Sequence, residues 1–144
     1  MQHQFLIEPG IWLGEGKISF SASSDTVVFY TKWVIIPQDS VLSCLQNVEM
    51  HGVEGKVENK YTVSQIDKES FQIEIDNETL GTMGGRGVIS EKNIAWEFRG
   101  SPEFEGIEVY ELQDNGDYTF HAEYASLEES RTIIDGKLWK KAAE

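Results

Sequence analysis

Two pairs of side chains are spaced for chemistry. Glu97 and Arg99 stand two residues apart, and so do His121 and Glu123. Side chains of an extended chain point to alternate faces, so each pair shares one face of its strand. An arginine fork beside an imidazole is a natural receptor for a carboxylate or another anion, with Arg99 able to bind it bidentately. In both segments, however, the charged face is the one opposite the bulky aromatics Trp96, Phe98, Tyr118 and Phe120. The plainer reading is a charged outer coat over an aromatic interior. Arg99 and His121 become ligand-orienting groups only if their face lines a cavity.

Other candidate constellations are weaker. Gly81-Thr82-Met83-Gly84-Gly85-Arg86-Gly87 is glycine-rich like a phosphate loop, but the strand-like Val88-Ile89-Ser90 follows it. A phosphate cradle needs a helix N-terminus there, so the glycines read as bends or close-approach points in a strand. Gly14-Glu15-Gly16 lacks the third glycine and helix of a dinucleotide fingerprint. His3, His51 and His121 are too dispersed to form a spaced metal-ligand pair, so no metal site is expected. Cys44, in Val41-Leu42-Ser43-Cys44-Leu45, has apolar company and reads as a buried core thiol. No Gly-x-Ser-x-Gly elbow is present, and with 25 acidic residues among 144 any chosen carboxylate pair is arbitrary, so no catalytic residue is assigned.

The elements that position these groups are strands. Val57, Asn59, Tyr61 and Val63 alternate with polar neighbours, as do Phe71, Ile73 and Ile75, then Ile94, Trp96 and Phe98, then Tyr118, Phe120, Ala122 and Tyr124. This period of two predicts half-buried antiparallel strands at 11–22, 26–36, 47–53, 56–66, 70–76, 79–90, 93–99, 104–113, 117–125 and 131–140. The stretch 38–45 stays open between a helical turn and a further strand. Ser23-Ser24-Asp25, Asp67-Lys68-Glu69-Ser70, Asp76-Asn77-Glu78, Ser90-Glu91-Lys92-Asn93 and Gly100-Ser101-Pro102 punctuate the runs, and Asn115-Gly116 predicts a type I′ hairpin. Ten short strands with almost no helix to cover their apolar face are best satisfied by closure. The expected fold is all-β: one domain over 1–144, a single closed antiparallel up-and-down barrel of about eight to ten strands.

Charge and length exclude partners. A formal charge of −13 repels phosphate backbones and anionic membrane surfaces, so neither nucleic acid nor membrane is expected as a partner. The longest apolar run, Trp33–Ile36, is far too short to span a bilayer. The opening residues lack a basic region followed by an apolar run, and a lone cysteine suits a reducing compartment, so a cytoplasmic location is expected. An exposed barrel seam would suit a homodimer.

Gly10-x-Trp12-x-Gly14-x-Gly16 at the start of the first strand, joined to the strand meander, resembles the calycin superfamily of lipocalins, fatty-acid-binding proteins and nitrobindin-like barrels. The form of the motif is most similar to the nitrobindin-like group. The resemblance implies that Trp12 closes one end of the barrel against a basic side chain, with Arg131 the first candidate and Lys137 and Lys140 its rivals. Departures are plain: 19–27 leaves no room for the two-helix lid of fatty-acid-binding proteins, and the signal peptide and disulfide of many lipocalins are missing. Nitrobindin-like proteins hold haem through a histidine, to which His121 does not align; no cofactor is expected. The resemblance implies a binding protein for a small hydrophobic or amphipathic molecule. Its candidate lining is Phe29, Trp33, Tyr61, Phe71, Met83, Trp96, Phe98 and Tyr118, with Arg99 and His121 fixing its orientation. A filled barrel serving as an interaction module, without internal cavity, is the first rival. An isomerase- or hydratase-type enzyme is the second, and it calls for a strongly shifted acid or histidine inside the cavity.

Overall fold

The computed structural model describes residues 2–21, 23–78, 81–101, 104–126 and 131–142. Ten strands follow in order: β1 (Gly10–Phe20), β2 (Thr26–Gln38), β3 (Val41–Met50), β4 (Val57–Ser64), β5 (Ser70–Asn77), β6 (Gly81–Ile89), β7 (Asn93–Ser101), β8 (Phe104–Leu112), β9 (Tyr118–Ser126) and β10 (Arg131–Lys140). Each pairs antiparallel with its sequence neighbours, and β10 returns to β1, so the sheet is a closed up-and-down barrel with no free edge. No helix occurs among the described residues.

The alternation seen in the sequence sets the inside and outside. Phe29, Trp33 and Ile35 of β2, Phe71, Ile73 and Ile75 of β5, and Ile94, Trp96 and Phe98 of β7 are all buried in one continuous core. Their sequence neighbours face solvent, as a half-buried strand requires. Glycines make room where this core is tightest. A Cβ on Gly87 would lie 2.0 Å from Phe71 Cζ, so the ring occupies the space a side chain would need. The glycine-rich segment is therefore strand β6, without the helix a phosphate loop requires.

Some boundaries differ from the sequence reading, for physical reasons. Most of the open stretch 38–45 and of the expected strand 47–53 belongs to one strand, β3 (Val41–Met50), entered through a tight turn at Asp39 with φ of 58°. Gly52 and Gly55, at φ of 81° and 86°, end that strand and turn the chain into β4. The Asn115-Gly116 hairpin is a type I turn with Gly116 left-handed at φ 92°, closed by Gly116 N–H to Gln113 O at 3.0 Å. Asn115 does not adopt positive φ, so the type I′ expectation is replaced by the three-residue loop. β7 runs on through Gly100 and Ser101 with a register shift after Phe98, where a loop was expected. Residues 22, 79, 80 and 102, which entered the expected strands and turns, lie outside the described residues.

The segment before β1 was not foreseen to have a structural role. Phe5 and Leu6 are fully buried, with Leu6 at φ 72°, and enter the barrel end where β1 begins. Phe5 contacts Trp12, Trp33, Tyr110 and Tyr118 with ring centroids 5.5, 5.3, 4.8 and 5.7 Å away. His3 fastens the segment: its Nε2–H donates to Ser90 O at 2.7 Å, and Nδ1 accepts from the Tyr118 hydroxyl at 2.8 Å. This is the plugged end of the barrel; at the opposite end lie the strand ends Phe20, Thr26, Met50, Val57, Asn77, Gly81, Ser101, Phe104, Ser126 and Arg131.

Candidate functional site

The aromatic filling divides the interior. At the plugged end, Trp12, Trp33, Trp96, Tyr110 and Tyr118 pack with Phe5, largely edge to face, with Trp96 and Tyr110 stacked at 5.0 Å. Little space remains there. Toward the opposite end the inward positions carry smaller or polar residues, and the side chains leave a cavity of about 250 Å³. Its apolar wall comes from Ile18, Phe29, Val48, Ile75, Phe104, Phe120 and Ile134. Its polar groups are Gln46, Asn59, Tyr61, Glu108, Tyr110, Tyr124 and Thr132. Larger concavities exist among the described residues, but they lie on the outer surface, as does the groove along Gln72, Glu74, Arg86, Glu97 and Arg99.

Glu108 is the centre of the polar side. It belongs to the inward series Phe104, Gly106, Glu108, Tyr110 and Leu112 of β8, and it is only 7% exposed. Tyr110 donates its hydroxyl hydrogen to Glu108 Oε1 at 2.7 Å, and Tyr124 donates to Oε2. Burial raises the carboxyl above its ordinary range, opposed by the hydrogen bonds from Tyr124 and Tyr110 that favour the charged form. Burial, and then the nearby Glu108 charge, push the phenols of Tyr61, Tyr110 and Tyr124 well above their ordinary value. All three therefore remain protonated donors.

A second chain of amides runs along the neighbouring wall. Gln46 donates from Nε2 to Thr31 Oγ1 at 3.2 Å, and Thr31 donates in turn to Asn47 O at 2.9 Å. Gln46 Oε1 accepts from Asn59 Nδ2 at 3.0 Å and from the Tyr61 hydroxyl at 3.4 Å. These bonds fix the amide orientations, so the cavity presents a set of preorganised polar groups along one side of an apolar chamber.

The residues singled out from sequence fall in three places. Tyr61 and Phe29 line the cavity. Trp33, Trp96 and Tyr118 are buried but belong to the filled, plugged end; Phe71 and Phe98 are buried in the core, and Met83 packs against it half-buried. Arg99 and His121 face outward, with side chains 72% and 47% exposed. Arg99 pairs with Glu97 at 2.9 Å, and His121 lies 2.5 Å from Asp135 and 3.6 Å from Glu123. The hydrogen bond to Asp135 raises the imidazole above its ordinary range. Neither side chain lines the interior cavity, because each is out of phase with the inward aromatics of its strand. The plainer of the two sequence readings is the one the geometry has.

Arg131 is likewise misplaced as the partner of Trp12. In the β1–β10 register Trp12 pairs with Lys140 and Phe20 with Thr132, so Arg131 sits at the opposite end, roughly 30 Å along the strand. Its guanidinium meets Glu123 at 3.7 Å. Trp12 is covered instead by Phe5 and Tyr118, while Lys140 donates to Gln4 at 3.2 Å on the rim. Cys44 is buried, and burial pushes its thiol up to about 12, which fits a core residue. No cluster of three metal-ligating side chains occurs among the described residues.

Glu108 and Gln46 were missed from sequence, although the signal existed. Both share the phase of apolar neighbours, Phe104, Tyr110 and Leu112 in one strand and Leu42, Cys44 and Val48 in the other. A polar residue in step with the core is the informative anomaly.

Fold and interior together define a closed ten-strand barrel, filled with aromatics at one end and hollow with a polar wall toward the other. No protein-family profile matches the chain, and no curated protein matches it.

Proposed function

We propose that this is a calycin-like binding barrel whose hollow half holds one small molecule with an apolar body and a polar head. The observation that carries the reading is the carboxyl of Glu108, buried in a cavity otherwise walled mainly by apolar side chains. A buried acid costs stability unless something offsets it, and two tyrosine donors satisfy only part of its capacity. The chamber is small. Typical ligand sites begin near ~300 Å³, and a cavity of about 150 Å³ accepts benzene, so the occupant is the size of one substituted ring or a short chain. The cavity weighs against the filled-barrel interaction module.

Native mass spectrometry of the protein purified from its own cells tests the reading. A stoichiometric adduct of a few hundred daltons or less is the expected result. If the protein carries no adduct and no small molecule raises its melting temperature, the binding reading fails.

A second reading has its own support. Glu108 is a carboxyl whose pKa burial raises, set among protonated phenols, and such a group can act as a general acid or base. In that reading the occupant is a substrate for proton transfer. Bound ligand incubated in D₂O would then gain deuterium at carbon at a rate that falls with Glu108→Gln.

A further inference from the structure

We infer that the polar head of the ligand is a protonated amine, held by Glu108 and the aromatic rings around it. This rests on the proposed binding function and names the ligand class for that cavity.

Three features converge. First, Glu108 is the only formally charged side chain among the described residues lining the cavity, and no lysine, arginine or histidine accompanies it. A carboxylate or phosphate ligand would bring a second negative charge beside it with no cation to offset either. A ligand ammonium supplies the missing counter-charge. Second, the free hydrogen-bonding capacity at Glu108 is acceptor capacity. A carboxylate offers about four lone-pair positions. Tyr110 and Tyr124 occupy one on each oxygen, leaving sites for N–H donors. Third, the rings of Phe29, Tyr61, Phe104, Tyr110, Phe120 and Tyr124 border the same chamber. Aromatic faces attract cations, most strongly where water is excluded. The field of the whole chain acts in the same direction, because a net charge of −13 concentrates cations around the protein.

The titratable groups facing Glu108 are few. Tyr110 lies on its own strand, Tyr124 on β9 and Tyr61 on β4, whereas β1, β2, β3, β5 and β10 contribute no ionisable side chain to the cavity wall. Raised phenol values keep all three tyrosines neutral near pH 7, so Glu108 alone sets the charge of the chamber.

The test is a matched titration by calorimetry. Phenethylamine, cyclohexylmethylamine and hexylamine are each compared with the alcohol and the carboxylic acid of the same carbon skeleton, against the wild-type protein and Glu108→Gln. A charge-assisted hydrogen bond is about twice as strong as a neutral one, so an amine should bind at least about tenfold tighter than its alcohol, and the acid weakest. In Glu108→Gln, which keeps the side-chain shape, the amine's advantage over the alcohol measured on the same variant should shrink to within about threefold. Equal affinities for amine and alcohol in the wild type, tighter binding of the acid, or an amine preference that survives Glu108→Gln would each overturn the amine assignment and leave the binding cavity standing. Saturable binding by none of the compounds would remove both, and competition among the three amines verifies a shared site.

Discussion

Gly106 lies beneath the ring of Tyr124, its cross-strand partner, and a Cβ on Gly106 would sit 2.2 Å from Tyr124 Cδ1. The missing side chain on β8 is what allows the Tyr124 hydroxyl to reach Glu108 two residues further along the same strand. Gly106→Ala should therefore displace the ring and remove one donor from the carboxyl. Overpacking of this kind costs about 1–3 kcal/mol, to be read from urea unfolding. A variant as stable as wild type, with the Tyr124 ring unmoved in its NMR contacts to Glu108, would show that the glycine is not needed there.

Glu108 should give the protein a distinctive response to pH. A carboxyl whose pKa is higher in the folded than in the unfolded state binds its proton more readily when folded. Its favourable contribution is fully present below the unfolded value of 4.5 and is lost as pH rises through the folded value. Wild-type stability should thus decline relative to Glu108→Gln as pH increases across that window, with a slope of up to ~1.4 kcal/mol per pH unit. Paired unfolding curves at several pH values measure the difference, and parallel pH profiles would contradict it.

Phe5 touches four aromatic rings at the plugged end, so its loss should be felt throughout that cluster. Phe5→Ala is expected to cost about 3–5 kcal/mol, a large share of the ~5–15 kcal/mol typical of a domain. The denaturant midpoint should fall steeply. A loss under ~1 kcal/mol would mean that the segment before β1 merely rests on the barrel.

The outward charges should matter little. Arg99→Ala and His121→Ala remove exposed ion pairs with Glu97 and with Asp135 and Glu123. Such pairs contribute about 0–1 kcal/mol, and neither side chain lines the cavity. Small-molecule binding in the double variant should match wild type within error; a clear loss of affinity would return these two residues to the site.

How far the sequence carries depends on which interactions decide each feature. Strand alternation is local, so ten antiparallel strands and their closure are legible from Phe71, Ile73 and Ile75 or from Ile94, Trp96 and Phe98. Turn details are less so, because Asn115-Gly116 suits more than one hairpin geometry. The same alternation already separated Arg99 and His121 from the interior, and the structure has them on that outer face. The hollow could not be read, since it depends on where rings from ten strands meet in space. Trp33 and Trp96 fill one half only because Phe5 and Tyr110 come to meet them. Glu108 was readable in principle from its phase with Tyr110, but one acid among 25 stands out only once the inward face of β8 is known.

The pairing of β10 with β1 also bears on the chain's birth. Nine of the ladders join strands adjacent in sequence and can zip up as each hairpin leaves the ribosome. The tenth, which sets Trp12 opposite Lys140, must wait until the last strand has been made. At ordinary elongation rates β1 stays unpaired on that side for on the order of ten seconds. Through that interval the nascent sheet has an exposed flank along β1, whose charged side chains are Glu15 and Lys17.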